Sequence, residues 1–265
     1  MEYGDKHILV LGAGASGIGA SWVLAQVGAH VVLNDYKPVT LPATEEGRLV
    51  SAGVEIITGR QDESLLDGVD RIVISPGISL DIPIVKAAQA RGIDVVSEVE
   101  LAYEVSKSPI VAVTGTNGKT TTTTLLTKVL EGSGKPVRVG GNIGDSLSEV
   151  AYSMPAGGFL VAELSSYQLE TIKHFRPIGA IMLNITPDHL ARHKTMENYI
   201  AAKERIFENQ LKSDYLVLNI DDSVVADMEH RAPSHILQIS QKQTVENGAY
   251  YANGQCYVVK NGVAT

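Results

Sequence analysis

The sequence is 265 residues long, 44% hydrophobic and 20% charged, which supplies a buried core and excludes a disordered tail. At about 100–200 residues per domain, that length predicts two domains. A net charge of −8 with no sustained basic block excludes a protein that neutralises many phosphates, so no nucleic-acid partner is expected and any anionic ligand must be held locally.

The opening Met1-Glu2-Tyr3-Gly4-Asp5-Lys6 lacks the basic-then-apolar order of a signal peptide, and no apolar run reaches the roughly 18 residues of a membrane span. With a lone cysteine besides, the expected compartment is the cytoplasm. His7-Ile8-Leu9-Val10-Leu11 reads as a buried parallel strand ending in glycines. A helix is predicted over 18–27, up to Gly28, and Val31-Val32-Leu33 is the next strand, with Asn34-Asp35 at its carboxyl end. Strands at 71–74 and 94–96, with a helical stretch at 83–91 between them, extend this unit into an open parallel sheet. Residues 98–107 read as a polar helical connection, which puts the domain boundary near 105 and divides the chain into 1–105 and 106–265. The second region repeats the alternation, with strands at 110–113, 158–162, 178–183 and 215–219 and helices at 119–131 and 196–209. A small hairpin is predicted within 248–263, where Asn253-Gly254 and Asn261-Gly262 supply turn chemistry, and Cys256 is read as a small core residue.

Four segments carry chemistry. Gly12-Ala13-Gly14-Ala15-Ser16-Gly17 matches G-x-G-x-x-G between a strand and a helix, where glycines admit a phosphate to free amides and Asp35 can bind a sugar hydroxyl. On the motif alone this is a dinucleotide site or a purely structural tight turn. Thr114-Gly115-Thr116-Asn117-Gly118-Lys119-Thr120-Thr121 is the stronger signal: successive amides cradle phosphates, Lys119 neutralises them, and the Thr120 hydroxyl can hold magnesium. The general pattern wants glycine where this chain has Val113. Glu163 ends a strand in Glu163-Leu164-Ser165-Ser166-Tyr167-Gln168-Leu169-Glu170 and is either a magnesium ligand shared with the phosphate loop or a helix-start carboxylate. Asn184-Ile185-Thr186-Pro187-Asp188-His189 follows another strand, and His189 is a candidate metal ligand, whereas His174 and His193 read as surface or capping groups. Periodicity alone leaves Lys203 a solvated helix lysine.

Taken together, the phosphate loop, Gly141-Asn142-Ile143-Gly144, Glu163 to Glu170, Asn184 to His189 and Ala201-Ala202-Lys203 resemble the Mur ligase family of peptidoglycan synthesis, in which the Val113 departure is the usual variant. The resemblance implies an N-terminal Rossmann-like parallel-sheet domain that binds the uridine part of a substrate rather than a dinucleotide, followed by a P-loop ATPase-like α/β central domain. It implies an ATP- and Mg2+-dependent amide ligase, closest to the member that adds D-glutamate to UDP-N-acetylmuramoyl-L-alanine through an acyl phosphate, expected to be a monomer. By the same resemblance, Gly115, Thr116, Asn117, Gly118, Lys119, Thr120 and Thr121 bind ATP, while Thr120 and Glu163 hold one magnesium and His189 with a carbamylated Lys203 a second. Gly14, Ala15, Ser16, Asp35, Ser75, Pro76, Gly77, Asn142, Ser165 and Gln168 are the implied substrate contacts. By the resemblance, the family's third domain is expected to lie outside these 265 residues and the central one to be cut short, so weak or no turnover is expected of this chain alone. A sister ligase, of Mur or folylpolyglutamate type, and a non-catalytic nucleotide-binding module are the alternatives.

Overall fold

The structure is a computed structural model and describes residues 3–265; Met1 and Glu2, which open the segment read as lacking a leader, lie outside the described residues. The N-terminal part runs β1 (His7–Leu11), α1 (Ala15–Gln26), β2 (His30–Asp35), α2 (Ala43–Ser51), β3 (Glu55–Thr58), β4 (Arg71–Ile74), α3 (Pro83–Ala90) and β5 (Asp94–Ser97). Its strands form a parallel sheet in the order β3-β2-β1-β4-β5. β1 lies at the centre, and Ile8 to Leu11 are buried under helices on both faces, which is why that run is apolar without alternation.

After α4 (Glu98–Val105) come β6 (Ile110–Thr114), α5 (Lys119–Glu131), β7 (Val137–Gly141), α6 (Leu147–Ser153), β8 (Phe159–Glu163), α7 (Ser166–Leu169) and β9 (Gly179–Met182). Then follow α8 (Leu190–His193), α9 (Met196–Glu204), β10 (Tyr215–Asn219), α10 (Ser223–Ala226), β11 (His235–Ser240), β12 (Gly248–Ala252), β13 (Gln255–Lys260) and β14 (Val263–Ala264). These strands make a second, mixed sheet in the order β14-β13-β12-β11-β10-β9-β6-β8-β7, parallel from β7 across to β12 and antiparallel beyond. Among the described residues, no helix is long and apolar enough to cross a membrane.

Several expectations need correction. The first helix begins at Ala15, not 18, because the glycine turn leads directly into it. The segment 98–107 is no polar connector: Glu98, Val99, Glu100, Leu101 and Ala102 are all buried between the two sheets. Glu100 is satisfied there by the amides of Lys173, His174 and Phe175 at 2.7–3.0 Å, and Glu98 Oε1 accepts from Ser146 Oγ and from the Ser148 amide and hydroxyl at 2.5–2.9 Å. Burial raises the pKa of Glu98. The hairpin does form, but β12 pairs with β11 and so extends the large sheet, and Cys256 is exposed instead of core because it faces Tyr251 across the outer hairpin.

Candidate active site

The parallel order sets the carboxyl ends of β8, β6, β9 and β10 side by side, the edge where open α/β sheets gather their ligands. β6 delivers residues 115–118 into α5, whose first residue is Lys119. Val113 lies in β6, fully buried and paired with Glu163, so the position that departs from the general pattern is a core strand residue. Gly115 has φ +147°, and a Cβ on it would lie 2.9 Å from Leu183 Cβ, so glycine is required where the loop passes the end of β9.

The loop is held from the segment after β9. Asn184 Oδ1 accepts from the Asn117 amide at 2.8 Å while its Nδ2 donates to the Asn117 carbonyl at 3.0 Å. Thr116 Oγ1 accepts from the Thr186 amide and hydrogen-bonds Tyr199 OH, both at 3.0 Å. Lys119 Nζ folds back to donate to the Thr116 carbonyl at 2.9 Å, and Thr120 and Thr121 are exposed on the first turn. The amides of Thr116 and Asn117 are thus taken by Asn184, and the open amides at the start of α5, a lysine and a hydroxyl converge at one helix start, an arrangement suited to a polyphosphate.

Glu163 ends β8 with 1% of its surface exposed. Its Oε1 accepts from Asn142 Nδ2 at 2.8 Å; Oε2 is buried with no hydrogen-bond partner among the described residues. A desolvated carboxylate oxygen without a donor is costly, and a cation offsets that cost, so this oxygen fits a divalent ion. Among the described residues, His, Cys, Asp and Glu nowhere gather in threes as a ready-made metal cluster, so an ion at this edge needs hydroxyl, carbamate or phosphate oxygens as well.

Lys203, solvated by its periodicity, is 2% exposed. The inner face of α9 carries Tyr199, Ala202 and Lys203, and the Lys203 amine donates to the Gly115 carbonyl at 2.8 Å beneath the phosphate loop. Burial, and then the like charge of Lys119, lower its pKa to about 7, so near neutral pH a large share of the amine is unprotonated. His189 is exposed at φ +55°, with Nε2 3.4 Å from Asp188 Oδ2 and its ring 4.9 Å from that of Tyr167. His174 is exposed, whereas His193 is buried, contrary to its reading as a surface or capping group; its Nε2 pairs with Ser166 Oγ at 2.9 Å and burial lowers its pKa. Ser165 and Gln168 cap α7 reciprocally, the Gln168 Oε1 accepting from the Ser165 amide at 3.0 Å.

The other candidate group sits at the carboxyl edge of the first sheet. A Cβ on Gly17 would lie 1.8 Å from the Gly12 carbonyl oxygen, so the turn closes only with glycine there. Asp35 accepts from the amides of Ala13 and Lys37, each at 2.9 Å, and Ser75 Oγ donates to the Gly12 carbonyl at 3.2 Å. Gly14, Ala15 and Gly77 are exposed, while Ser16, Ser75 and Pro76 are half-buried. A cleft of about 510 Å³ opens beside Ala15, bounded by Ile18, Arg48, Arg138, Ser146 and Glu149. Asn142 belongs to the second group, through Glu163.

Four residues outside the candidate set have roles in the structure. Asn184 and Tyr199 hold the loop. Asp222 caps α10 while its Oδ2 accepts from the Ile185 amide at 2.8 Å, and Arg192 reaches the first sheet. Asp222 preceding Ser223-Val224-Val225 was a legible helix cap and Asn184 opened a polar segment already singled out after a strand; Tyr199 and Arg192 had no one-dimensional signal.

Comparison with known proteins bears on both sheets. Residues 113–264 match the Mur ligase middle domain, and residues 6–97 match the N-terminal domain described as Mur ligase MurD-like. The UDP-N-acetylmuramoylalanine–D-glutamate ligase of Caldanaerobacter subterraneus subsp. tengcongensis is 46% identical over 97% of this chain and 57% of its own length. The ligase of the same name from Halalkalibacterium halodurans is 44% identical over 98% of this chain and 57% of its own. This chain thus spans less than two thirds of those relatives. Among solved structures, the UDP-N-acetylmuramate:L-alanyl-gamma-D-glutamyl-meso-diaminopimelate ligase from Neisseria meningitides has a TM-score of 0.63 at 21% identity, covering 98% of this chain and 86% of that one. The UDP-N-acetylmuramate-alanine ligase from Thermotoga maritima has a TM-score of 0.51 at 23% identity, covering 90% and 53% respectively. These two likenesses bear on the fold alone. With the middle-domain match spanning more than half of its residues, the chain belongs to the Mur ligase family.

Proposed function

We propose that this chain carries the substrate and nucleotide sites of a ligase that spends ATP to join D-glutamate to UDP-N-acetylmuramoyl-L-alanine. Residues 1–105 form the uridine-substrate unit and residues 106–265 the ATP unit. The observation that carries the reading is the pairing of a partnerless buried Glu163 oxygen with a phosphate-type loop whose Gly115 carbonyl is held by a buried Lys203. The names of the relatives supply the substrates.

In this reading the open amides at the start of α5, from Gly118 on, and the Lys119 amine hold the β- and γ-phosphates, Gly115, Thr116 and Asn117 shape the loop around them, and Thr120 and Thr121 line the same turn. Thr120 and Glu163 would hold one Mg2+, and His189 with a carbamylated Lys203 a second, where the ions would offset the repulsion between a carboxylate and a triphosphate. The unprotonated amine that Lys203 presents near pH 7 is the form that adds carbon dioxide. Gly14, Ala15, Ser16 and Asp35 bind around the uracil, Ser75, Pro76 and Gly77 lie along the substrate, and Asn142, Ser165 and Gln168 stand towards its reacting end. A carboxylate oxygen of the alanyl group attacks the γ-phosphorus and ADP leaves. The amine of D-glutamate then attacks the acyl carbon, phosphate leaves, and the nitrogen gives up a proton to become the amide. Lys119 and the loop amides act by fixing the phosphate in line and stabilising its charge. The chain works in the cytoplasm as a monomer.

The test is phosphate release with a panel of amino acids, run on this chain and on a form extended to the relatives' length. The extended form is expected to respond to D-glutamate only when both ATP and UDP-N-acetylmuramoyl-L-alanine are present. Preference for another amino acid moves the chain to a sister specificity, and nucleotide binding without any turnover moves it to a binding module.

A further inference from the structure

The two candidate groups lie on different sheets, and one side chain joins them. Arg192 is in α8, three residues after His189, and its amide donates to the His189 carbonyl at 3.0 Å. Its guanidinium forks onto Glu170, with Nε 3.1 and 3.2 Å from the two carboxylate oxygens and Nη2 2.6 Å from Oε2. It also lies over the ring of Tyr167, 4.4 Å from the centroid, and Tyr167 in turn lies against His189. With the fork fixed in this way, Nη1 donates to the Pro76 carbonyl at 3.0 Å. Pro76 follows Ser75, which is anchored to the Gly12 turn by its hydroxyl and to Leu11 by its amide. A continuous polar path therefore runs from the glycine turn of the first sheet to the His189 segment of the second. Arg192 is the residue that carries this path from one turn to the other.

We propose that Arg192 is a positioning residue that fastens the Ser75–Gly77 turn to the His189 segment, so that filling one ligand site favours filling the other. The inference rests on the functional reading above. A planar guanidinium suits this place because it serves the carboxylate and the carbonyl at once in one rigid geometry, which a lysine ammonium cannot do. A ligand that orders the Pro76 turn sets the guanidinium and, through Glu170 and Tyr167, the His189 segment. By reciprocity, a ligand at the second sheet sets the turn.

Calorimetry on this chain tests the idea, using UDP-N-acetylmuramoyl-L-alanine and the non-hydrolysable ATP analogue AMPPNP with Mg2+, each alone and each in the presence of the other. The native chain is expected to bind each ligand at least about fivefold more tightly when the other is present, within the usual range of coupling. Arg192→Met should bring that ratio to about one while each affinity measured alone stays within about threefold of native, and Arg192→Lys should restore only a minor part of it. If Arg192→Met unfolds at a lower temperature, Arg192→Lys is read by the same criterion in its place. Native coupling that persists in the variants overturns the proposal, as does native binding of both ligands without coupling. Failure of the native chain to bind either ligand instead overturns the functional reading, and this proposal with it.

Discussion

Replacing Lys203 by methionine gives the sharpest physical test of the site. The native amine loses its proton near pH 7 in the folded chain, whereas a lysine of ordinary pKa, 10.5, keeps it far longer once the chain unfolds. Between those two values the unfolded state binds more protons than the folded one, so raising the pH stabilises the fold. The full difference of about 3.5 units corresponds to a ceiling near 5 kcal/mol, and about 3 kcal/mol of it is recovered between pH 7 and 9.5. Lys203→Met keeps the stem and removes the titration. Urea unfolding of both proteins in carbonate-free buffer, so that Lys203 stays a free amine, should show the native chain gaining about 3 kcal/mol on the variant over that interval. The comparison stops at pH 9.5 because Tyr199, against which the amine stacks, has its own pKa raised by burial and titrates higher still. Profiles that stay parallel within about 0.5 kcal/mol would refute the burial argument, because Lys203 would then titrate alike in both states.

Three further substitutions probe the same edge of the sheet. Lys119→Ala should abolish AMPPNP–Mg2+ binding in calorimetry and leave UDP-N-acetylmuramoyl-L-alanine binding unchanged, since the Lys119 amine hydrogen-bonds within its own loop, on the second sheet. Gly115→Ala must fit a Cβ 2.9 Å from Leu183 Cβ at φ +147°, so urea unfolding should show a loss of about 2–4 kcal/mol from strain and overpacking, and nucleotide affinity should fall with it. Glu163→Gln preserves an oxygen for Asn142 while removing the charge, so the gain in AMPPNP affinity that Mg2+ gives over EDTA should shrink to what the second ion alone supplies. Magnesium dependence equal to that of the native chain in Glu163→Gln would place the first ion elsewhere.

Most of the strands that were legible in the sequence are strongly apolar, and the clearest are inner strands. β1, β4, β6 and β10 are short apolar runs stopped by glycine, proline or polar residues, and helix 119–131 was bounded by the loop that starts it. The strands that escaped notice are shorter or less apolar. β3 carries Glu55 and Thr58, β7 is Val-Arg-Val-Gly-Gly, and β11 mixes His235 and Gln238 into its apolar run; each takes its identity from the neighbour it pairs with. The same limit governs the site. The phosphate loop is a local backbone motif and shows itself in seven letters, from Thr114 to Thr120. The buried state of Lys203, the Asn184 clamp and the reach of Arg192 to Pro76 depend on contacts between residues 88, 67 and 116 positions apart. Glu98 shows the cost of judging by residue type alone: a carboxylate that reads as solvent-facing lies between the sheets, where two serines serve its Oε1.

The most direct measurement is a crystal structure of this chain with UDP-N-acetylmuramoyl-L-alanine, AMPPNP and Mg2+. The prediction is a terminal phosphate over the open amides at the start of α5 beside Lys119, a metal ion on Glu163 Oε2, and the alanyl carboxylate directed at that phosphate. A nucleotide bound away from this loop, or a metal ion that leaves Glu163 without a ligand, would contradict it.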